Sequence, residues 1–214
     1  LSSISPLLAA HCDFKGKMWG LFQLFENQET IHLLAPKSSL GQSLAEFKKY
    51  GVFSKTTIDD CSEQHVIMAA VGDLAEQLLS AQFGEVPAVG HAKPIEAGFV
   101  YQQKEREFLL ILSEQQANAL LQASDLPLIS NEYGSLLDIR AGRPQVTEAT
   151  INQYVPQMMN VQALDGICFT KGCYMGQEVV ARTRYLGKNK RALFVLGGQV
   201  SGKIAAGDEL QVHI

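Results

Sequence analysis

Apolar residues recur along this chain at two spacings, and each spacing predicts a kind of element. Met18 to Phe25 (MWGLFQLF) reads as a strand and Thr30 to Ala35 (TIHLLA) as a second, with Glu26 to Glu29 as the hairpin turn. After Ser39, a candidate cap, Leu40, Leu44 and Phe47 fall on one helical face while Gln42, Glu46, Lys48 and Lys49 face outward. That pattern predicts a helix to about Tyr50. Phe53 to Ile58 and Val66 to Val71 read as further strands, parted by a turn over Asp59 to Ser62. Asp73 and Glu76 have capping-box spacing and open a helix that Gly84 can end.

Glu85 to Gly98 carries Pro87, Gly90, Pro94 and Gly98, which predicts a loop and a boundary between two modules. The grammar then repeats. Phe99 to Gln102 and Glu107 to Leu112 pair around Lys104 to Arg106, and Ser113 with Gln116 opens a helix through Ala123. Hairpins separated by single helices predict an α+β fold with antiparallel sheets. From Gly134 the pattern loosens. Asp138 to Pro144 and Tyr154 to Gln162 mix polar and apolar residues around Gly and Pro, a composition better suited to lining a site than filling a core. Gln177 to Tyr185 reads as a helix and Arg191 to Leu196 as a strand. Gly197 to Asp208 is turn-rich, and Glu209 to the end reads as another strand.

Composition narrows the class. Across 214 residues the hydrophobic share is 46% and the charged share 19%, which is enough apolar surface for a packed core and excludes disorder. The longest apolar runs, such as Phe108 to Leu112, fall far short of the roughly 18 to 20 residues of a membrane span. The four cysteines form no CxxC pair and no signal-peptide pattern opens the chain, so the thiols are expected reduced and the protein cytoplasmic. A net charge of −4 argues against a coat for nucleic acid.

That charge is unevenly placed. Between Cys168 and Val195, six cations (Lys171, Arg182, Arg184, Lys188, Lys190 and Arg191) face one acid, Glu178. Such asymmetry suits an anionic ligand, and it equally suits a solvated helix face with Glu178 and Arg182 as an i,i+4 pair. Within the same stretch, Gly172 and Gly176 bracket Cys173 in KGCYMGQE. A helix starting near Gln177 would aim free N–H groups at the loop, and Lys171 is two residues from the thiol; both favour a thiolate. A small thiol buried in a tight turn would satisfy the same sequence. Gln157 and Asn160 offer an amide edge to a heterocycle or, alternatively, to local backbone. Asp13 to Lys17 is a charged loop or a simple turn. The CxxxxC spacing of Cys168 and Cys173 is not that of a structural zinc site, and no metal is expected. No GxGxxG, P-loop, GxSxG or HExxH occurs.

LLAAHCDFKGKMW (Leu7 to Trp19), AGRP (Ala141 to Pro144), VPQMMNVQALDGI (Val155 to Ile167) and KGCYMGQEVVARTRYLGKNKRAL (Lys171 to Leu193) together resemble the YgfZ family. These are folate-binding proteins related to the T-protein (aminomethyltransferase) of the glycine cleavage system. The resemblance implies two ferredoxin-like α+β modules in a T-protein-like arrangement, followed by the start of a C-terminal β-barrel. On this chain they are expected at 1–90, 91–190 and 191–214. It implies support of iron–sulfur cluster enzymes and tRNA modification, dependent on tetrahydrofolate or a one-carbon derivative. Cys173 is then the functional thiol, with Lys171 beside it. Tyr133, Gly134, Gln157, Asn160, Tyr174, Gln177, Glu178 and Arg182 are the expected folate contacts, with Tyr133 and Gly134 standing where some members carry a Trp. Expected partners are folate and iron–sulfur enzymes or assembly factors, with tRNA contact indirect and no membrane. Gly16 to Leu21 (GKMWGL) matches the turn that bears the catalytic aspartate in T-proteins, yet holds no acid, so aminomethyl transfer of that kind is not expected. The alternatives are a folate-dependent one-carbon transferase using the cysteine, or a tRNA-binding module.

Overall fold

The computed structural model describes residues 4–187, 189–199, 202–205 and 208. Its strands are β1 (Leu7–Cys12), β2 (Met18–Asn27), β3 (Thr30–Leu34), β4 (Val66–Val71), β5 (Ala92–Ile95), β6 (Gly98–Lys104) and β7 (Glu107–Leu112). Its helices are α1 (Lys37–Gly51), α2 (Asp73–Phe83), α3 (Glu114–Gln122), α4 (Asn131–Arg140) and α5 (Gln177–Tyr185). The class is mixed α and β with two antiparallel sheets, of order β1-β2-β3 and β4-β7-β6-β5. Among the described residues no barrel closes.

The chain divides into two compact units that interleave along the sequence. The first takes the residues up to Leu7, Gln23–Leu34 and Tyr50–Gly134; the second takes Leu8–Phe22, Ala35–Lys49 and everything from Ser135.

In the first unit, β7 explains the unbroken run FLLIL. Alternate residues of a strand point to opposite faces, and here both faces are covered. Phe108, Leu110 and Leu112 join Leu79 of α2 and Ala117 and Leu120 of α3, whereas Ile111 joins Phe25, Ala92 and Phe99. The edge strand β4 alternates instead, with Val66, Met68 and Ala70 turned towards the core. Helix α3 starts as expected, the Ser113 hydroxyl accepting from Gln116 N–H while the Gln116 side chain accepts from Ser113 N–H.

Three expectations fail in this unit. Phe53 to Ile58 is no strand; Phe53 is 86% exposed and the stretch is irregular, because propensity without a covered face does not hold a strand. The region expected as a loop contains β5, whose Pro94 is tolerated because β5 lies at the sheet edge. Asp73 makes no capping box; the residue before α2 is Gly72, at φ 99, and it caps with no side chain.

The second unit packs Cys12, Met18, Leu21, Val146, Met159 and Val161 into one core. Helix α1 begins at Lys37, so Ser39 lies inside it, its hydroxyl donating to Pro36 O. The deepest residues of α1 are Ser39 and Ser43, not the expected Leu40 and Leu44. Phe47 stacks on His11 at 4.3 Å between centroids. Arg191 to Leu196 is not a strand, since no described segment pairs with it and an extended chain needs a neighbour for its N–H and C=O groups. The expected final strand from Glu209 lies outside the described residues.

Candidate functional site around Lys171–Glu178

The site belongs to the second unit, and two glycines build it. Gly176 precedes α5 in the left-handed region (φ 80, ψ 0), and a Cβ there would stand 2.8 Å from Gly16 Cα. Gly16, at φ 72, closes the turn between β1 and β2. That turn is fixed by Asp13, whose carboxylate accepts from the N–H of Lys15 (2.9 Å) and Lys17 (2.8 Å). The charged loop of the sequence is therefore the platform on which the KGCYMGQE segment rests. Gly16 was the readable signal, because only glycine both takes this φ and lets a second backbone approach.

Helix α5 is held from below by Gln157. This buried side chain donates through Nε2 to Val180 O at 2.7 Å, and the backbone carbonyl of Gln157 accepts from Asn189 Nδ2 at 2.9 Å. Asn160 Nδ2 donates to Leu193 O at 2.8 Å. Both amides therefore spend donors on the backbone of residues 180–193, while Gln157 Oε1 is buried with no partner among the described residues.

Cys173 is exposed, which removes the reading of a buried thiol in a tight turn. Lys171 Nζ lies over the Tyr174 ring, 4.7 Å from its centroid. Burial pushes the Tyr174 phenol up, with Cys12 and Cys168 adding to the effect. Cys12, at the buried end of β1, is pushed up to about 12 by burial, against the opposing charge of Lys171. Cys168 behaves oppositely. The Thr170 hydroxyl, then the backbone N–H groups of Thr170 and Lys171, then the Lys171 charge hold this exposed thiol below its ordinary range. Sequence reasoning passed over Cys168 because the donors come from a bend, which no residue spacing announces.

Gln177, Glu178 and Arg182 follow on α5, with Glu178 and Arg182 exposed. Arg184 stacks over Phe169 at 3.9 Å and reaches Tyr185 at 5.3 Å. Tyr133 and Gly134 lie on α4 and belong to the first unit, the other eight expected site residues belong to the second, and none of the ten lines the cleft described next.

A cleft of about 900 Å³ opens in the second unit, within the range of small-molecule sites. Tyr154, Met158 and Met159 give it an apolar side; Arg143, Lys190 and Arg191 give it a cationic one. Asp138 anchors Arg143 (2.8 Å) and accepts from Gln145 Nε2 (2.8 Å). The AGRP stretch lines this cleft, whereas Tyr154 to Gln162, expected to line a site rather than fill a core, does both: Tyr154 and Met158 face the cleft while Met159 and Val161 belong to the core of the second unit. Among the described residues no group of three or more His, Cys, Asp or Glu could hold a metal.

Comparison with known proteins gives the site its relatives. The chain is 40% identical over 213 residues to a protein of Colwellia psychrerythraea named tRNA-modifying protein YgfZ, covering 97% of this chain and 65% of that protein. Proteins of the same name from Pectobacterium carotovorum (39%) and Pectobacterium atrosepticum (38%) match 97% of the chain and 64% of their own length. The chain belongs to the YgfZ family. It spans just under two thirds of the length of these YgfZ relatives. No protein-family model matches the chain. Among the described residues, no helix is long and apolar enough to cross a membrane.

Proposed function

We propose that this chain is a folate-binding accessory protein that supports iron–sulfur cluster enzymes and tRNA modification, through a tetrahydrofolate site and the exposed Cys173. The observation that carries the reading is the cleft. A flat heterocycle with a carboxylate tail needs an apolar wall, a hydrogen-bonding edge and cations at one end. Tyr154, Met158 and Met159 supply the first, Gln145 the second, and Lys190 and Arg191 the third. These residues fit tetrahydrofolate, which when bound supplies one-carbon chemistry. The relatives' name, a tRNA-modifying protein, supports the tRNA side of the reading. An accessory role is preferred to aminomethyl transfer because the Gly16–Leu21 segment holds no acid and its Met18, Trp19 and Leu21 are buried in packing.

The test is anaerobic calorimetric titration of the chain with tetrahydrofolate, beside Cys173→Ala and the double variant Lys190→Glu, Arg191→Glu. Saturable binding to the first two and its loss in the third is expected. Absence of binding to the unmodified chain removes the folate part of the reading. Direct tRNA contact is a second reading, favoured by Arg184 lying over the half-buried Phe169 beside the exposed Tyr185, a surface suited to bases. It requires tRNA affinity that falls steeply with salt and is weakened by Arg184→Ala.

A further inference from the structure

Residues 190–195 form one wall of the cleft, and no strand pairing holds them there. Among the described residues, no backbone-to-backbone hydrogen bond ties residues 189–196 to the rest of the chain. Two asparagine side chains take that place. At one end Asn189 Nδ2 donates to Gln157 O at 2.9 Å; at the other Asn160 Nδ2 donates to Leu193 O at 2.8 Å. Lys190 and Arg191, which give the cleft cations, lie between these two pins.

Both pins lead to one support. Asn160 separates two single turns of 3-10 helix, Pro156–Met159 and Val161–Leu164, and its own N–H donates to the Gln157 carbonyl at 3.3 Å. Gln157 is buried and fastened to Val180 O, and Met159 and Val161 on either side of Asn160 belong to the core. Asn160 stands at φ 56, a left-handed position that asparagine takes more readily than most residues, and it supplies the donor as well. Leu193 is half-buried where it is pinned, whereas Phe194 just beyond is 76% exposed.

We propose that residues 190–192 are a clasp, and that Asn189 and Asn160 are the positioning residues that fix its two ends and so place Lys190 and Arg191 at the cleft. Cations held ready favour a charged ligand end, because side chains that must be ordered on binding give back part of the attraction. For the identity of its ligand the clasp rests on the folate reading: a compound with an anionic tail for Lys190 and Arg191 and an apolar body for Tyr154 and Met158.

The test is limited tryptic digestion of the native, ligand-free chain with mass mapping, since trypsin cuts after Lys190 and Arg191. Asn160→Asp keeps the size and tolerates the left-handed backbone, but sets a carboxylate against Leu193 O. Asn189→Ala removes the other pin at an exposed position. Each variant should be cut within the clasp about tenfold faster than the parent, the factor that one hydrogen bond controls. Cutting after Lys17, in the same unit, should keep the parent's rate. A clasp cut no faster, or a rate that rises equally at Lys17 as general loss of stability would give, overturns the proposal. In calorimetric titration, Asn189→Ala should lose roughly tenfold more affinity for tetrahydrofolate than for a reduced pterin that lacks the glutamate tail. Equal losses overturn it as well. If the parent binds neither compound, the folate reading falls, and the digestion alone decides the clasp.

Discussion

Gly176 leaves no room for a side chain above Asp13: a Cβ placed on it would stand 2.6 Å from the Asp13 carbonyl oxygen. The contact is backbone against backbone, so nothing can swing away. Gly176→Ala should therefore cost about 2–4 kcal/mol, combining left-handed strain with overpacking. Urea unfolding measures this directly, and a loss under about 0.5 kcal/mol, the ordinary scatter of surface changes, would show that the turn yields.

Gln157 is the peg under α5. Gln157→Met keeps the bulk but leaves Val180 O without its donor, at a cost of about 1–3 kcal/mol, partly offset because the orphaned Oε1 disappears as well. Hydrogen exchange should quicken across Ala181–Tyr185 more than in α3. Equal protection in both proteins would mean that α5 is held by other contacts.

Burial raises Cys12 to about 12, and this sets an alkaline limit on stability. Above the ordinary thiol value of 9.0 the unfolded chain loses this proton while the folded chain keeps it, so folding weakens as pH climbs from 9 towards 12. Cys12→Ala should flatten that part of the profile. Native alkylation at pH 8 should spare Cys12 while labelling Cys168, as peptide mass mapping can show.

His11 acts at the other end of the scale. Burial lowers it, with Glu46 pulling the opposite way, and its Nδ1 is buried with no partner among the described residues. Its contribution is whole above pH 6.5 and declines below, where the unfolded chain takes up a proton that the folded ring resists. His11→Phe should keep the stack on Phe47 and lose this acid sensitivity. Parallel urea midpoints for the two proteins between pH 5 and 8 would refute the assignment.

Local periodicity made β2, β3, β4, β6, β7, α3 and α5 readable, because each carries its own covering pattern or cap. It failed where the deciding partner is distant in sequence. Pro94 is acceptable only because β5 lies at an edge, and Phe53 to Ile58 lacks a face to cover it. The placing of Cys173 in a loop just before a helix could be read from its bracketing glycines. The gathering of donors at Cys168 could not, since it depends on how three consecutive residues bend. Nor could the contact of Gly16 with Gly176, which joins positions far apart along the chain.

The interleaving of the two units has a practical side. Each is assembled from three separate stretches, and the division cuts through β2 between Phe22 and Gln23. No single cleavage of the chain isolates either unit, because a cut after Gly134 keeps the first whole but leaves it joined to two stretches of the second. Closing units from remote stretches also means that loops must be ordered before they are rewarded, which slows folding relative to a chain built from neighbours. In nascent chains the first unit should become protease-resistant once Gly134 has been made, and the second only after Ser135 and the residues that follow it.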